Sequence, residues 1–141
     1  MKPYVVVWKG PVHKASGLGH ASRMYAASLK RKGVDVRVGG LKSGLRPSHG
    51  KRVLIFHEIP SFIDWNTERR VYDSIILNTV WETSRTPKKW LAHMNKFDAI
   101  CVPTLHNKRA LQNSGVRVPI YLVPHGVNTQ VFHPSNKKFP L

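Results

Sequence analysis

Acidic residues are scarce in this sequence. It has 7 Asp and Glu against 23 Lys and Arg in 141 residues, which gives a net charge of +16. Such a charge attracts phosphates, nucleic acid or anionic lipid without deciding among them. Hydrophobic residues nevertheless make up 41% of the chain, so a disordered polyelectrolyte is excluded and one folded domain is expected at this length.

Cysteine is almost absent as well, since Cys101 is the only one. A disulfide framework and a thiolate metal site are therefore excluded within this chain, and we expect Cys101 to be a buried thiol in the apolar run 99–102. No apolar run reaches the ~18 residues of a membrane span, and the apolar stretch 4–8 is too short for a signal peptide. These absences predict a cytoplasmic protein and leave peripheral contact with a membrane open.

Short apolar runs alternate with helical patterns along the chain, which is typical of a parallel sheet covered by helices. The predicted strands are residues 4–8, 34–38, 53–57, 74–80, 99–102 and 120–123. The first predicted helix runs through residues 21–29, and residues 64–72 can form a second. The third has Thr86 as its N-cap and a buried stripe of Trp90, Leu91, Met94 and Phe97. The fourth runs from Thr104 to Leu111. We predict one Rossmann-like α/β domain: a doubly wound, mainly parallel six-stranded sheet with helices on both faces.

Ligands of such sheets bind beyond the carboxyl ends of the strands, where the strand order reverses. The loop after the first strand holds Gly17 and Gly19 and leads into a helix, so backbone amides there can approach a phosphate, although a plain tight turn explains the glycines equally well. The motifs G-x-G-x-x-G and G-x-x-x-x-G-K-[ST] are both absent. An ordinary NAD or NTP site is therefore excluded, and we expect no cofactor and no metal.

The loop after the fourth predicted strand carries Trp81 and Glu82, while His57 and Glu58 end the third and His125 ends the sixth. We take Glu82 and His57 as the candidate catalytic residues because a carboxylate and an imidazole at these strand ends would face one crevice. The alternatives are a solvated surface carboxylate for Glu82, and structural hydrogen bonding for His57 and His125.

Several short motifs then follow one another in a recognisable order. They are Gly17-Leu18-Gly19-His20-Ala21-Ser22-Arg23, Trp81-Glu82-Thr83, Phe97-Asp98, Val102-Pro103-Thr104, Ser114-Gly115-Val116, Val123-Pro124-His125-Gly126-Val127-Asn128 and Phe132-His133-Pro134. In order and spacing over residues 5–134 this set resembles the retaining GT-B glycosyltransferases of group 1, also called glycosyltransferase family 4.

The resemblance implies the N-terminal, acceptor-side half of an enzyme that transfers a hexosyl group from a nucleotide-sugar donor to an unknown acceptor. Residues 1–127 would form this domain, and residues 128–141 a linker or the start of a missing donor-binding domain. Because that second domain supplies most of the donor contacts in the family, we expect the isolated chain to be inactive and to bind sugar nucleotides weakly.

The resemblance also implies roles for single residues. Gly17 and Gly19 match the loop that closes over the donor diphosphate, and His125 and Gly126 match the crossing to the second domain. Many members place a histidine in the loop after strand four, where this chain has Trp81 and Glu82. Either Glu82 faces the acceptor, or His57 takes the role of that histidine, or the sugar contact differs.

A second hypothesis belongs to another class. The chain could be a non-catalytic Rossmann-like module that binds nucleic acid or an anionic membrane through its charge. Under the glycosyltransferase hypothesis we expect only weak, nonspecific binding of polyanions or of a membrane surface. The Lys and Arg residues are spread along the sequence and form no standard nucleic-acid motif. Charge alone does not separate the two hypotheses.

Overall fold

Six parallel strands form one sheet in this protein. The computed structural model describes residues 4–39 and 50–134. The strands are β1 (Tyr4–Lys9), β2 (Val36–Val38), β3 (Lys51–Phe56), β4 (Ser74–Asn78), β5 (Ala99–Val102) and β6 (Ile120–Leu122). The helices are α1 (Gly17–Arg31), α2 (Trp65–Val71), α3 (Lys88–Met94) and α4 (Leu105–Asn113), with a short 3-10 helix at Pro60–Phe62.

The strand order is β2-β1-β3-β4-β5-β6. The chain moves from β1 to one side for β2 and then returns to the other side for β3, so the order reverses between β1 and β3. In doubly wound sheets this reversal opens a crevice at the carboxyl ends of the two strands. The predicted Rossmann-like α/β domain is confirmed.

Helices cover both faces of the sheet, but unequally. On one face Ala26 of α1 packs with Val6, Trp8 and Val36. A larger core fills the other face, where residues of α2, α3 and α4 pack on the strands. Its members include Leu54, Ile75, Leu77, Trp65, Trp90, Met94, Ile100 and Leu111. The strongly apolar β1 is buried on both sides because it lies between these two layers.

Local signals account for most element ends. Asp64 caps α2 by accepting hydrogen bonds from the amides of Asn66 and Thr67, and Thr104 caps α4 through the amide of Asn107. Helix α1 ends at Arg31 and is followed by Gly33, whose φ is +80°. The amide of Val34 closes this turn onto Leu29, so β2 begins at Val36 instead of the predicted residue 34.

The predicted start of α3 is wrong. Pro87 is its N-cap, with no capping side chain, and the helix begins at Lys88. Thr86 is buried and its amide donates to Oγ of Ser114 at 2.8 Å, so this residue fastens the loop to the end of α4. Phe97 is buried as expected but lies beyond the helix, which ends at Met94.

Besides β2, two further predicted strands differ by two residues at one end. Strand β4 ends at Asn78, two residues before the predicted end, and β3 begins at Lys51 within the predicted loop 39–52. Residues 40–49 of that loop lie outside the described residues. Residues 123–134 form no helix or strand, and residues 135–141 lie outside the description, so a linker after residue 127 stays a prediction.

Candidate functional site

A crevice of about 180 Å³ opens at the carboxyl ends of the strands. Leu18 of α1, residues 57–60 after β3, residues 78–82 after β4, and Trp90 of α3 line it. Pockets for drug-sized ligands typically enclose about 300–1,000 Å³, so this crevice is smaller than such a pocket.

The loop after β4 is held rigidly at this crevice. The indole rings of Trp81 and Trp90 meet edge to face with centroids 5.0 Å apart, and Nε1 of Trp81 donates to the carbonyl of Arg85 at 2.7 Å. The carbonyl of Trp81 accepts a hydrogen bond from Nδ2 of Asn107, a buried side chain of α4. These contacts fix the course of the loop that carries the exposed Glu82.

Most acidic residues of the protein have structural roles elsewhere. Of the 7 in the sequence, three form ion pairs and one caps a helix. These four are Glu68 with Lys9 at 2.6 Å, Asp73 with Arg52 at 3.4 Å, Asp98 with Arg69 at 2.7 Å, and Asp64 at the start of α2. A fifth, Asp35, precedes β2 at the opposite end of the sheet from the crevice.

The remaining two, Glu58 and Glu82, both line the crevice. Within residues 4–39 and 50–134, neither forms an ion pair with a basic side chain. In a protein of net charge +16, two carboxylates without a basic partner among these residues thus lie in the same crevice. The crevice can therefore accept hydrogen bonds from uncharged donor groups such as hydroxyls.

The two glycines of the first loop have different surroundings. Ser16 caps α1, with its Oγ accepting from the amide of Gly19 at 3.1 Å. A Cβ on Gly19 would lie 2.2 Å from the carbonyl oxygen of Lys14, whereas one on Gly17 would meet nothing within 4 Å. Gly19 is thus required for packing of the loop. Leu18, between the two, is the residue of this turn that lines the crevice.

Comparison with protein-family models, with curated proteins and with solved structures finds no match for this chain. The described helices include none that is long and apolar enough to cross a membrane. Within the described ranges, no three His, Cys, Asp or Glu side chains are grouped so that they could hold a metal ion. The function is therefore inferred from the geometry of the crevice.

His57 lines the crevice, and its side chain is closely packed. Its side chain is buried, and Nδ1 lies 2.7 Å from Oγ of the buried Ser22. The ring meets those of Trp8 and Tyr25 edge on, with centroids 5.4 Å and 6.2 Å away. Burial, and to a smaller extent the charge of His125, lowers the pKa of His57 to about 4. His57 is therefore neutral at pH 7, and Ser22 occupies one of its two ring nitrogens; a catalytic role for His57 stays a prediction.

Gly10 permits this packing. A Cβ at this position would lie 2.7 Å from Oγ of Ser22 and 3.0 Å from both the His57 carbonyl oxygen and Nε1 of Trp8. Nε1 of Trp8 is itself buried without a hydrogen-bond partner among the described residues. The loop after β1 can pass between α1 and β3 only because residue 10 has no side chain.

His125 and Gly126 do not line the crevice. The chain after β6 folds back onto α1, where Oη of Tyr25 lies 3.1 Å from both the Val123 carbonyl oxygen and Nδ1 of His125. His125 and Gly126 are exposed there. Burial raises the pKa of Tyr25, as does the nearby Cys101 thiol. Burial also raises the pKa of Cys101, a half-buried residue of β5 that stays a protonated thiol.

Sequence reasoning did not identify two residues that hold the site in place. Ser22 is hydrogen-bonded to His57, which lies 35 residues later in the sequence. Asn107 is hydrogen-bonded to Trp81, which lies 26 residues earlier. The sequence indicates that a helix begins at Thr104, but nothing around Asn107 indicates that its side-chain amide contacts the loop after β4. The sequence places Glu58 beside His57 without indicating a role for it, and in the structure Glu58 lines the same crevice as Glu82.

Proposed function

We propose that this domain is the acceptor-side half of a glycosyltransferase, and that its crevice binds an uncharged hydroxyl-rich acceptor. The observation that carries the proposal is the placement of Glu58 and Glu82, the two unpaired carboxylates, beside the indoles of Trp81 and Trp90. The crevice lies at the carboxyl ends of the strands, next to the reversal of strand order.

This lining suits a sugar. Carboxylate oxygens accept hydrogen bonds from several hydroxyls at once, and indole rings offer rigid apolar surface against which the C–H face of a sugar ring can pack. Hydrogen bonds to charged groups are also stronger than those between neutral groups. A phosphate would be repelled by the same two carboxylates, which favours a neutral acceptor over a polyanion inside the crevice.

Helix α1 provides a place for the donor. Its N-terminus borders the crevice through Leu18, and Ser16 already occupies the amide of Gly19. The amides of Gly17 and Leu18 remain at the positive end of the helix, where the diphosphate of a sugar nucleotide would be stabilised. A second domain would supply the other donor contacts.

In this proposal the protein acts by positioning. Glu82 holds the acceptor hydroxyl, and Trp81 holds the ring that carries it, so that the hydroxyl oxygen approaches the donor carbon in one orientation. Charge that develops on the leaving diphosphate is stabilised by the end of α1 and by the second domain. No residue of the crevice is assigned as a nucleophile.

A transfer assay tests the proposal. The chain, alone and mixed with the separately expressed C-terminal domain of a GT-B glycosyltransferase, is incubated with UDP-, GDP- and ADP-sugars and a panel of neutral glycosides. We expect transfer only in the mixture, with kcat/KM lowered about tenfold or more by Glu82→Gln or Trp81→Ala. Ser84→Ala, an exposed change on the same loop, is the matched control.

Two results would contradict the proposal. One is the absence of transfer from every donor when the second domain is present. The other is equal activity of the Glu82→Gln and Ser84→Ala variants, because the crevice carboxylate would then have no part in the reaction. Tight binding of a sugar nucleotide by the chain alone, measured by calorimetry, would contradict the half-enzyme assignment in particular.

A further inference from the structure

Asn78 ends β4 with a polar side chain in a buried position. The strand before it reads Ser74-Ile75-Ile76-Leu77, the apolar pattern of a parallel strand between two helical layers. Only 6% of Asn78 is exposed. Asparagine is depleted in strands, and burying its amide without a partner costs free energy. The stability of the strand therefore does not explain this residue.

The other buried polar side chains of the protein are paired or enclosed. Leaving Tyr and Trp aside, six polar residues are buried in the described ranges, and four of them form a side-chain hydrogen bond, namely Ser22, His57, Glu68 and Asn107. The fifth, Thr86, has a hydroxyl without a partner among the described residues, but protein atoms enclose it.

Asn78 is the sixth, and it differs from the rest. Within residues 4–39 and 50–134 its carboxamide has no hydrogen-bond partner, yet it keeps access to solvent. The open space beside it is the crevice, which Asn78 lines. A buried polar group that is unpaired and faces a cavity is available to a ligand.

The sheet places this carboxamide at the inner end of the crevice. Strands β3 and β4 are parallel neighbours, so His57, which follows β3, and Asn78, which ends β4, lie side by side. Asn78 is buried, Glu58 is partly buried and Glu82 is exposed. Asn78 therefore lies deepest of the three polar residues that have no partner of opposite function in the crevice.

The carboxamide supplies a function that the two carboxylates lack. Ionised Glu58 and Glu82 can only accept hydrogen bonds, whereas a sugar hydroxyl both donates its proton and accepts at its oxygen. The amide of Asn78 carries two N–H donors for such an oxygen. Once a ligand covers the crevice, a sugar without the matching oxygen would leave these buried donors unpaired, which weakens its binding.

We propose that Asn78 determines which acceptor the crevice takes, by donating a hydrogen bond from its carboxamide to one hydroxyl oxygen of the sugar. This inference rests on the proposed function, which supplies the uncharged hydroxyl-rich ligand. Asn78 binds and orients the sugar and takes no part in making or breaking bonds. It discriminates between sugars that differ only in the presence or configuration of that hydroxyl.

A cycle of protein variants and deoxy sugars tests the proposal. NMR titration measures the affinity of the unaltered chain and of Asn78→Leu for a methyl hexoside and for each of its monodeoxy derivatives. We expect the unaltered chain to lose about tenfold in affinity when the hydroxyl held by Asn78 is removed. Asn78→Leu should bind the parent hexoside about tenfold more weakly, should be indifferent to the loss of that hydroxyl, and should stay sensitive to the others.

Two further variants complete the cycle. Asn78→Asp keeps the shape and the oxygens of the side chain but loses its N–H donors, so it should behave like Asn78→Leu. Ser84→Ala, an exposed change on the loop after β4, should behave like the unaltered chain.

Two measurements distinguish contact with a ligand from a structural role. The side-chain amide resonances of Asn78, assigned by their absence from the spectrum of Asn78→Leu, should shift when the hexoside is added to the unaltered chain. The midpoint of urea unfolding should be at least as high in Asn78→Leu as in the unaltered chain. Asn107→Leu, the same change at a buried and hydrogen-bonded asparagine, should lower the midpoint.

The outcomes separate this inference from the proposed function. If no hexoside binds to the unaltered chain, the proposed function fails and the inference fails with it. If hexosides bind but Asn78→Leu is as sensitive as the unaltered chain to the loss of every hydroxyl, only the role of Asn78 is overturned. Full affinity in Asn78→Asp, or an unfolding midpoint lowered as far in Asn78→Leu as in Asn107→Leu, would also overturn that role.

Discussion

Oγ of Ser22, on α1, lies 2.7 Å from Nδ1 of His57, which follows β3, and both side chains are buried. This hydrogen bond joins the helix to the sheet at the reversal of strand order. It also occupies one ring nitrogen of a histidine that the sequence offered as a catalyst. Its consequence for the pH dependence of stability can be measured.

Acid should destabilise the protein through His57. Its pKa is about 4 in the folded protein and about 6.5 when unfolded, so the unfolded chain binds the proton first. Neutral His57 therefore makes its full contribution to the free energy of unfolding above about pH 6.5. This contribution, about 3 kcal/mol in total, is lost as the pH falls toward 4. Urea denaturation across this window measures the loss.

Two variants identify the titrating group. His57→Gln should flatten the dependence of the unfolding free energy on pH within the window, because the group that takes up the proton is gone. His20→Gln removes an exposed histidine of α1 and should leave the dependence as it is. An unchanged slope in His57→Gln would contradict the buried, neutral state of this residue.

The glycines at the start of α1 should respond differently to the same substitution. Gly19→Ala places a Cβ 2.2 Å from a backbone oxygen, which forces the loop or the helix to move, and we expect a loss of about 1–3 kcal/mol. Gly17→Ala meets open space and should be neutral or stabilising by up to about 1 kcal/mol. Thermal or urea denaturation compares the two, and equal stabilities would refute the close approach of residues 14 and 19.

The buried amide of Asn107 should control the loop that carries Glu82. Asn107→Ala removes the donor to the Trp81 carbonyl, so we expect a loss of about 1–3 kcal/mol in stability and faster hydrogen exchange in residues 79–85. Asn113→Ala, an exposed change at the end of the same helix, is the control. Unchanged exchange in the loop would show that Trp81 is held without Asn107.

The sequence predicts the sheet well because its signals are local. Strand β5 has its predicted bounds, and Thr104 caps α4 at the predicted start of that helix. The predicted start of α3 is one residue early, because Thr86 and Pro87 carry the usual pattern for a helix start, yet the buried Thr86 hydroxyl has no hydrogen-bond partner among the described residues and caps no amide of α3.

The site was predictable at the level of loops but not of contacts. The strand pattern alone brings Glu82 and Glu58 to one end of the sheet, where the structure finds them in one crevice. The burial of His57 depends on Ser22, Trp8 and Gly10, which only the packing of α1 on the sheet brings together. Contacts between residues so distant in sequence produce no hydrophobic periodicity from which they could be predicted.

Titration with neutral glycosides tests directly whether the crevice binds a sugar. The tryptophan indole resonances of the protein are followed by NMR as methyl glycosides, and then inorganic phosphate, are added to the unaltered chain and to Glu58→Gln, Glu82→Gln and Ser84→Ala. We expect glycosides to shift the indole resonances of Trp81 and Trp90, and phosphate to leave them unchanged. Each glutamine variant should lose about tenfold in affinity, and Ser84→Ala should bind normally. Shifts induced by phosphate instead of glycosides, or full affinity in both glutamine variants, would contradict a sugar site at this crevice.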